Sequence, residues 1–119
     1  MKPKIFITAV CLFCITASAV AQKVYNIKKF GAKGDGKTDD AVAIQKAIDA
    51  CTKTGGQVLI PAPFTFMASP FNLKSNIDFH LEAGAKLLAN PNEKVYTNPA
   101  FRKNPGEGTI WIGAENVSN

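Results

Sequence analysis

From Gly56 onward the chain is a succession of short apolar runs, cut apart by Pro61, Pro63 and Pro70, by Lys74-Ser75-Asn76 and by Glu82-Ala83-Gly84. Runs this short suit strands rather than helices. They read as strands at 57–60, 65–68, 71–73, 77–81, 85–89 and 109–112. Ile77, Phe79 and Leu81 alternate with Asp78, His80 and Glu82, the period-two pattern of a strand with one buried face. Val58 and Ile60 recur as Phe79 and Leu81, 21 residues on, and each time a turn and another strand follow. A period in the twenties suits a solenoid, whose turns bury their apolar face only against their neighbours. A small antiparallel sandwich would give similar short strands. Between Asn90 and Gly108 the chain changes character, with Asn-Pro at 90–91 and 98–99 and Asn-Pro-Gly at 104–106, which predicts one long excursion.

Upstream the pattern is different. Val24 to Ile27 reads as a short strand, followed by Lys28-Lys29-Phe30 and a glycine-rich turn from Gly31 to Gly36. Thr38-Asp39-Asp40 resembles a helix start, where a hydroxyl or carboxylate caps free N–H groups and acids suit the positive end of the dipole. Ile44, Ala47, Ile48 and Cys51 then follow the i, i+3, i+4, i+7 spacing of an amphipathic helix over 41–52, ended by Gly55-Gly56.

The first residues point to export. Met1-Lys2-Pro3-Lys4 is a basic start, Ile5 to Ala17 is uncharged and mostly apolar, and Ala19-Val20-Ala21 places small residues where a signal peptidase reads. The apolar run falls short of the roughly 20 residues that cross a bilayer, so a membrane anchor is the weaker reading. Bulky Phe13 before Cys14 argues against a lipoprotein site. Residues 1–21 are therefore expected to be a cleaved signal peptide, and the mature chain 22–119 secreted or periplasmic, with no stable membrane insertion. The leader carries Lys2 and Lys4 and no acid, which leaves 12 basic against 9 acidic groups and a formal charge of +3. The cations are scattered, so no stripe for nucleic acid is visible. Cys11 and Cys14 leave with the leader; Cys51, alone, makes neither an internal disulfide framework nor a cysteine-based zinc cluster.

Gly31-Ala32-Lys33-Gly34-Asp35-Gly36-Lys37-Thr38 spells the phosphate-loop pattern G-x-x-x-x-G-K-T between an expected strand and an expected helix. In that reading Lys37 and the loop amides hold phosphates and Thr38 holds magnesium. Nucleotide triphosphates are scarce outside the cell. Asp35 would sit inside the anion nest, and Asp39-Asp40 would compete with phosphate for the same amides. The preceding strand carries Asn26 and lies beside two lysines, unlike a buried central strand. A tight turn leading into a capped helix explains the stretch better, with no nucleotide.

The same residues carry a resemblance. Phe30 to Asp40, then Ala43-Ile44-Gln45-Lys46-Ala47-Ile48-Asp49-Ala50-Cys51, then Gly55-Gly56-Gln57-Val58-Leu59-Ile60-Pro61, resemble the opening of the pectate-lyase-like superfamily. More narrowly, they look like the polygalacturonase-type family 28 glycoside hydrolases. Leu73-Lys74-Ser75-Asn76, Leu81-Glu82-Ala83-Gly84-Ala85 and Ile112-Gly113-Ala114-Glu115-Asn116-Val117 are similar to later pieces of that pattern, so the likeness runs from about Lys23 to Asn119. It departs after Pro61, where Ala62-Pro63-Phe64 replaces the usual small glycine-containing turn. The resemblance implies an all-β fold, a right-handed parallel β-helix (solenoid), with an amphipathic helix at about 39–52 capping its N-terminal end. Gly31–Asp40 would then be structural.

Family 28 enzymes resemble one another in hydrolysing galacturonan by inversion, one carboxylic acid protonating the leaving oxygen while a carboxylate activates water opposite. The family's motifs run N-x-D, D-D, G-H-G and R-x-K in that order. Here Asn76-Ile77-Asp78 matches the first, but Asp39-Asp40 precedes it; His80 lies between Phe79 and Leu81 rather than glycines; Arg102-Lys103 lacks the spacer. None is carried over as catalytic, and no cofactor or metal ligand is assigned. Asp78, His80 and Glu82 could form a carboxylate–histidine cluster, but alternation alone predicts a solvated outer face. Tyr25, Phe30, Phe66, Phe71, Phe79 and Trp111 could stack on sugars, but most read better as core. Lys74 and Lys86 could attract an acidic polymer, or simply keep the surface soluble. Asn116-Val117-Ser118 is a formal glycosylation acceptor.

A solenoid needs about three stacked repeats and a cap at each end, and no second cap is visible before Asn119. Residues 22–119 are therefore expected to be the N-terminal cap and first turns of a longer domain. Two readings of function follow: the N-terminal portion of an exported polygalacturonase-like hydrolase of pectic polysaccharide, with its catalytic motifs beyond Asn119, or a non-catalytic β-helix module that binds carbohydrate or attaches to surfaces. Lyase and epimerase relatives stand between them.

Overall fold

The computed structural model describes residues 21–97 and 110–118. Nearly all of the expected signal peptide and the Asn98-Pro99 to Gly108 part of the excursion, with Arg102-Lys103, lie outside the described residues.

The chain opens with β1 (Val24–Asn26), a short 3-10 helix (Ile27–Phe30), β2 (Asp35–Asp39) and α1 (Ala41–Thr54). There follow β3 (Gly56–Ile60), β4 (Thr65–Ala68), β5 (Phe71–Leu73), β6 (Ile77–Leu81) and β7 (Lys86–Ala89), a second 3-10 helix (Glu93–Tyr96), and β8 (Ile112–Ala114). Among the described residues every strand pair is parallel. Three sheets result, in the orders β1-β3-β6, β2-β4-β7 and β5-β8. A sandwich of antiparallel strands is excluded. Successive strands therefore belong to different sheets, and from β5 onward each sheet gains a strand only after the chain has visited the other two, α1 standing between β2 and β3 where no third strand is made.

The 21-residue repeat is a pairing register. Val58 lies opposite Phe79 and Ile60 opposite Leu81, and the same offset sets Phe66 beside Leu87 in the next sheet. Val58, Ile60, Phe66, Ala68 and Phe71 point inward and are fully or almost fully buried. They meet Ile44, Ala47, Ile48 and Cys51 of α1, the stripe expected from its spacing, in one core. Tyr25 is buried with them, Phe30 and Phe79 pack partly against them, and the half-buried Trp111 donates its Nε1–H to the Ala68 carbonyl at 3.0 Å. Most of the aromatic residues are core or core margin.

Three expectations need correction. The glycine-rich stretch does not run directly into a helix: residues 35–39 form β2, paired with β4 through a register shift, and α1 begins at Ala41 rather than 39 and runs on to Thr54. Alternation was hidden there because β2 contains no large apolar residue, its sequence being Asp-Gly-Lys-Thr-Asp. Second, the apolar face of β6 is only half covered, with Leu81 47% exposed, because β6 has a strand on one side alone among the described residues. Third, the last strand is displaced toward the C-terminus, to Ile112–Ala114, where its partner β5 fixes its register.

The helix is tied to the sheets by side chains as well as packing. The Gln45 amide donates to the Asn72 carbonyl at 3.0 Å and accepts the Asn72 N–H at 2.9 Å. The Thr52 hydroxyl donates to the Ser75 carbonyl at 2.6 Å. Lys74 and Asp49 form an ion pair at 2.6 Å. The strand edge facing α1 thus finds polar partners that a neighbouring strand would otherwise supply.

Candidate functional site

The phosphate-loop spelling folds into two anion nests that the protein fills itself. Asp40 is 2% exposed; its carboxylate accepts the N–H groups of Lys33 at 2.8 Å and Gly34 at 3.1 Å. Asp35 accepts those of Lys37 at 2.9 Å and Thr38 at 2.8 Å, and the Thr38 hydroxyl at 2.8 Å. The Thr38 N–H, then that of Lys37, then the hydroxyl hold the Asp35 carboxyl down to about 2. These are amides a phosphate would need, and each donates to a carboxylate. Gly34 has φ +67°, and a Cβ there would come within 2.9 Å of the Phe64 Cβ, so the loop is held against the next turn of the chain. It is a structural clasp.

Asp39 and Asp40, adjacent in sequence, serve opposite sides. Asp40 turns back to the loop. Asp39 accepts the N–H of Ala41 at 3.1 Å and of Ser69 at 3.0 Å, the Ser69 hydroxyl, and the Asn90 amide at 3.1 Å. The Asn90 amide also donates to the Ser69 hydroxyl at 3.2 Å. Partial burial pushes the Asp39 carboxyl up, but the Ser69, Ala41 and Asn90 donors outweigh it and leave it lowered. Asp39, Ser69 and Asn90 thereby join β2, β4 and β7 at one shared corner. The first N–H of α1 is capped by Asp39, one residue earlier than the Asp40 N-cap position, whose own side chain makes no cap bond.

The other catalytic look-alikes also have structural employment. Asn76 sits in a left-handed turn, φ 65°, and donates its N–H to the Ser118 carbonyl at 2.9 Å. Asp78 accepts the Gln57 amide at 3.0 Å, one strand over. Glu82 accepts the Ala62 N–H at 3.1 Å, in the turn where Ala62-Pro63 is a cis peptide. His80 is exposed on the outer face of β6, beside Asp78. The three residues are thus on the outer surface, with both carboxylates bonded to the preceding turn of chain. Lys74 is held by Asp49, while Lys86 is exposed at the start of β7. Cys51 is buried, and burial first, then the Asp78 charge, push its thiol up, away from the reactive thiolate.

Shallow grooves follow the open side of the described structure. One of about 360 Å³ is lined by Leu73, Lys74, Ile77, Phe79, Val117 and Ser118. Two smaller ones contain a single carboxylate each, Asp78 in one and Glu115 in the other. Inverting glycoside hydrolysis needs two carboxyl groups on opposite faces of a bound sugar, and none of these grooves offers a pair. Among the described residues no group of three or more His, Cys, Asp or Glu side chains is placed to hold a metal, and no helix is long and apolar enough to cross a membrane.

Sequence reasoning missed the reciprocal Gln45–Asn72 contact and the backbone role of Asp40. A signal existed for the second: an acid directly before an amphipathic helix and within reach of a glycine turn. Nothing in the spacing pointed to the first.

Comparison with known proteins accounts for this geometry. Residues 24–117 match the model of the family described as "Rhamnogalacturonase A/epimerase, pectate lyase-like". The chain is 44% identical over 81 residues to an exo-poly-alpha-D-galacturonosidase of Dickeya chrysanthemi, a stretch covering 68% of this chain and 13% of the relative. Its structure superposes on the family 28 exopolygalacturonase of Yersinia enterocolitica with a TM-score of 0.66 and 39% identity, covering 82% of this chain and 18% of that one. The surface adhesin PfbA of Streptococcus pneumoniae aligns over 55% of this chain and 15% of its own, at 37% identity and a TM-score of 0.51. The chain thus spans under a fifth of the length of each of these proteins. With three parallel sheets in register and a family match over nearly every described residue, the chain belongs to the rhamnogalacturonase A/epimerase, pectate lyase-like family.

Proposed function

We propose that the chain is the N-terminal portion of an exported polygalacturonase-like glycoside hydrolase acting on pectic polysaccharide, in which its three sheets are the first turns of a right-handed parallel β-helix and α1 is the N-terminal cap. The observation that carries this reading is the likeness to two exopolygalacturonases, at 44% and 39% identity over 13% and 18% of their lengths. The inward-facing apolar residues and the α1 stripe support the solenoid and its cap. In this reading the present residues supply architecture: they close one end, set the register, and leave acid and base chemistry to aspartates from turns that follow Asn119. Substrate charge agrees with that assignment, because a mature chain of +3 does not repel a polyuronate.

A second reading has an observation of its own, the alignment with the adhesin PfbA: a β-helix module that attaches to surfaces without catalysis. The test is the intact mass of the native exported protein, detected through its N-terminal region, together with release of reducing ends from polygalacturonate. A product several times heavier than residues 22–119 that hydrolyses the polymer supports the hydrolase. An unsaturated, ultraviolet-absorbing product would reassign it to the lyases. A mature product of 98 residues without activity would sink the enzyme reading for this chain.

A further inference from the structure

Three connections lead from the β1-β3-β6 sheet to the β2-β4-β7 sheet, at residues 27–34, 61–64 and 82–85, and they stack at one corner. The Lys86 N–H donates to the Phe64 carbonyl at 3.0 Å, and the Lys28 ammonium lies over the half-buried Phe64 ring, 3.6 Å from its centroid. Lys28, Lys29 and Lys33 are on the first connection and Lys86 directly follows the third, all of them exposed. None forms an ion pair with a described carboxylate. The acids around them are committed to backbone N–H groups: Glu82 to Ala62, Asp35 to Lys37 and Thr38, and Asp40 to Lys33 and Gly34. The corner thus satisfies its acids internally and leaves four ammonium groups without a carboxylate.

We infer that this corner anchors an acidic polysaccharide, its ammonium groups bonding carboxylates that the polymer carries one to a sugar. A single exposed ammonium–carboxylate pair is weak. A polymer presents many carboxylates, however, so once one pair has formed the next is nearly intramolecular. Neighbouring strands lie about 4.8 Å apart, which sets the backbone of Lys86 roughly 10 Å along the stack from the first connection. Cations so spaced meet different sugars of one chain. The Phe64 ring holds the Lys28 ammonium in place, which lowers the cost of ordering it on binding. A nucleic acid suits the corner less: the three connections contain no arginine, Phe64 is covered by Lys28, and Phe30 packs on the core, so no ring is left for a base. A further strand added beside β6 or β7 would lengthen the stack and leave this side of it exposed, so the surface does not depend on the length of the chain.

The identity of the polymer rests on the pectic reading, whereas the binding requires no catalysis. The experiment is calorimetric titration of the full chain with polygalacturonate. Binding that weakens as salt is added is expected. Lys28→Gln, Lys33→Gln and Lys86→Gln together should weaken it by about tenfold. Lys23→Gln, Lys46→Gln and Lys53→Gln together remove the same charge from exposed positions elsewhere and should change it by no more than about twofold. Equal loss in the two triple variants would mean that net charge alone attracts the polymer, and would overturn the inference. Absence of binding, indifference to salt, or equally tight binding of single-stranded DNA would overturn it too. Release of reducing ends is measured on the same proteins. Hydrolysis with binding that ignores the corner rejects this inference alone, and corner-dependent binding without hydrolysis rejects the hydrolase reading alone.

Discussion

Gln45 and Asn72 are joined by two hydrogen bonds, the Gln45 side-chain amide meeting both the N–H and the C=O of Asn72. A side chain on α1 thus does for β5 what β1 does for β3 and β2 for β4. Gln45→Ala should remove both bonds from a partly solvated site and cost about 0.5–1.5 kcal/mol. The check is urea unfolding of the wild type and the variant. Gln45→Glu keeps the acceptor and loses the donor, and should fall between them or below.

Asp40 should matter more to stability. Its buried carboxylate is the partner of the Lys33 and Gly34 amides, and Asp40→Ala leaves those donors unsatisfied, at a cost of roughly 2–3 kcal/mol. The same geometry predicts no measurable ATP–magnesium affinity by calorimetry. Nucleotide binding that disappears in Lys37→Ala would contradict the clasp.

The folded carboxyl of Asp35 titrates at about 2, below its ordinary 3.8. Its contribution to stability is therefore complete above the ordinary value and is lost as pH falls through the folded one. The difference in stability between wild type and Asp35→Asn should be constant from neutrality down to about pH 4 and shrink toward zero near pH 2. Thermal melts across that range measure it; a gap that widened with acid would reverse the assignment.

Gly34→Ala should be strongly destabilising, because the left-handed backbone costs about 1–2 kcal/mol with a Cβ and the added carbon meets Phe64. Gly31→Ala shares only the first penalty, since nothing lies within 4 Å of its added carbon. The melting temperature of the Gly34 variant should fall further.

Much of this was legible because apolar residues write their own periodicity. Ile44, Ala47, Ile48 and Cys51 announced α1, and the recurrence of Val58 and Ile60 as Phe79 and Leu81 announced a register that the β3–β6 ladder repeats residue for residue. β2 was illegible for the complementary reason. Its Asp-Gly-Lys-Thr-Asp sequence is held by side-chain and ladder hydrogen bonds rather than by burial, and polar residues leave no period to read. The candidate site shared that difficulty. Asp39-Asp40 and Asn76-Ile77-Asp78 are spelled like catalytic motifs, yet each carboxylate is committed to donors whose identity depends on three-dimensional neighbours, as far as 51 residues away for Asp39.

The common 21-residue offset of the β3–β6 and β4–β7 ladders also bears on how such a chain can change. A duplication or excision of one whole repeat leaves each inward side chain inward and each corner residue at its corner. A residue added or removed within a paired strand turns the rest of that strand inside out, whereas the connections absorb length, as the longer offset of the β5–β8 ladder shows. Length is therefore constrained inside the paired strands and free in the segments between them, which is why one spacing joins Val58 to Phe79 and another joins Phe71 to Ile112.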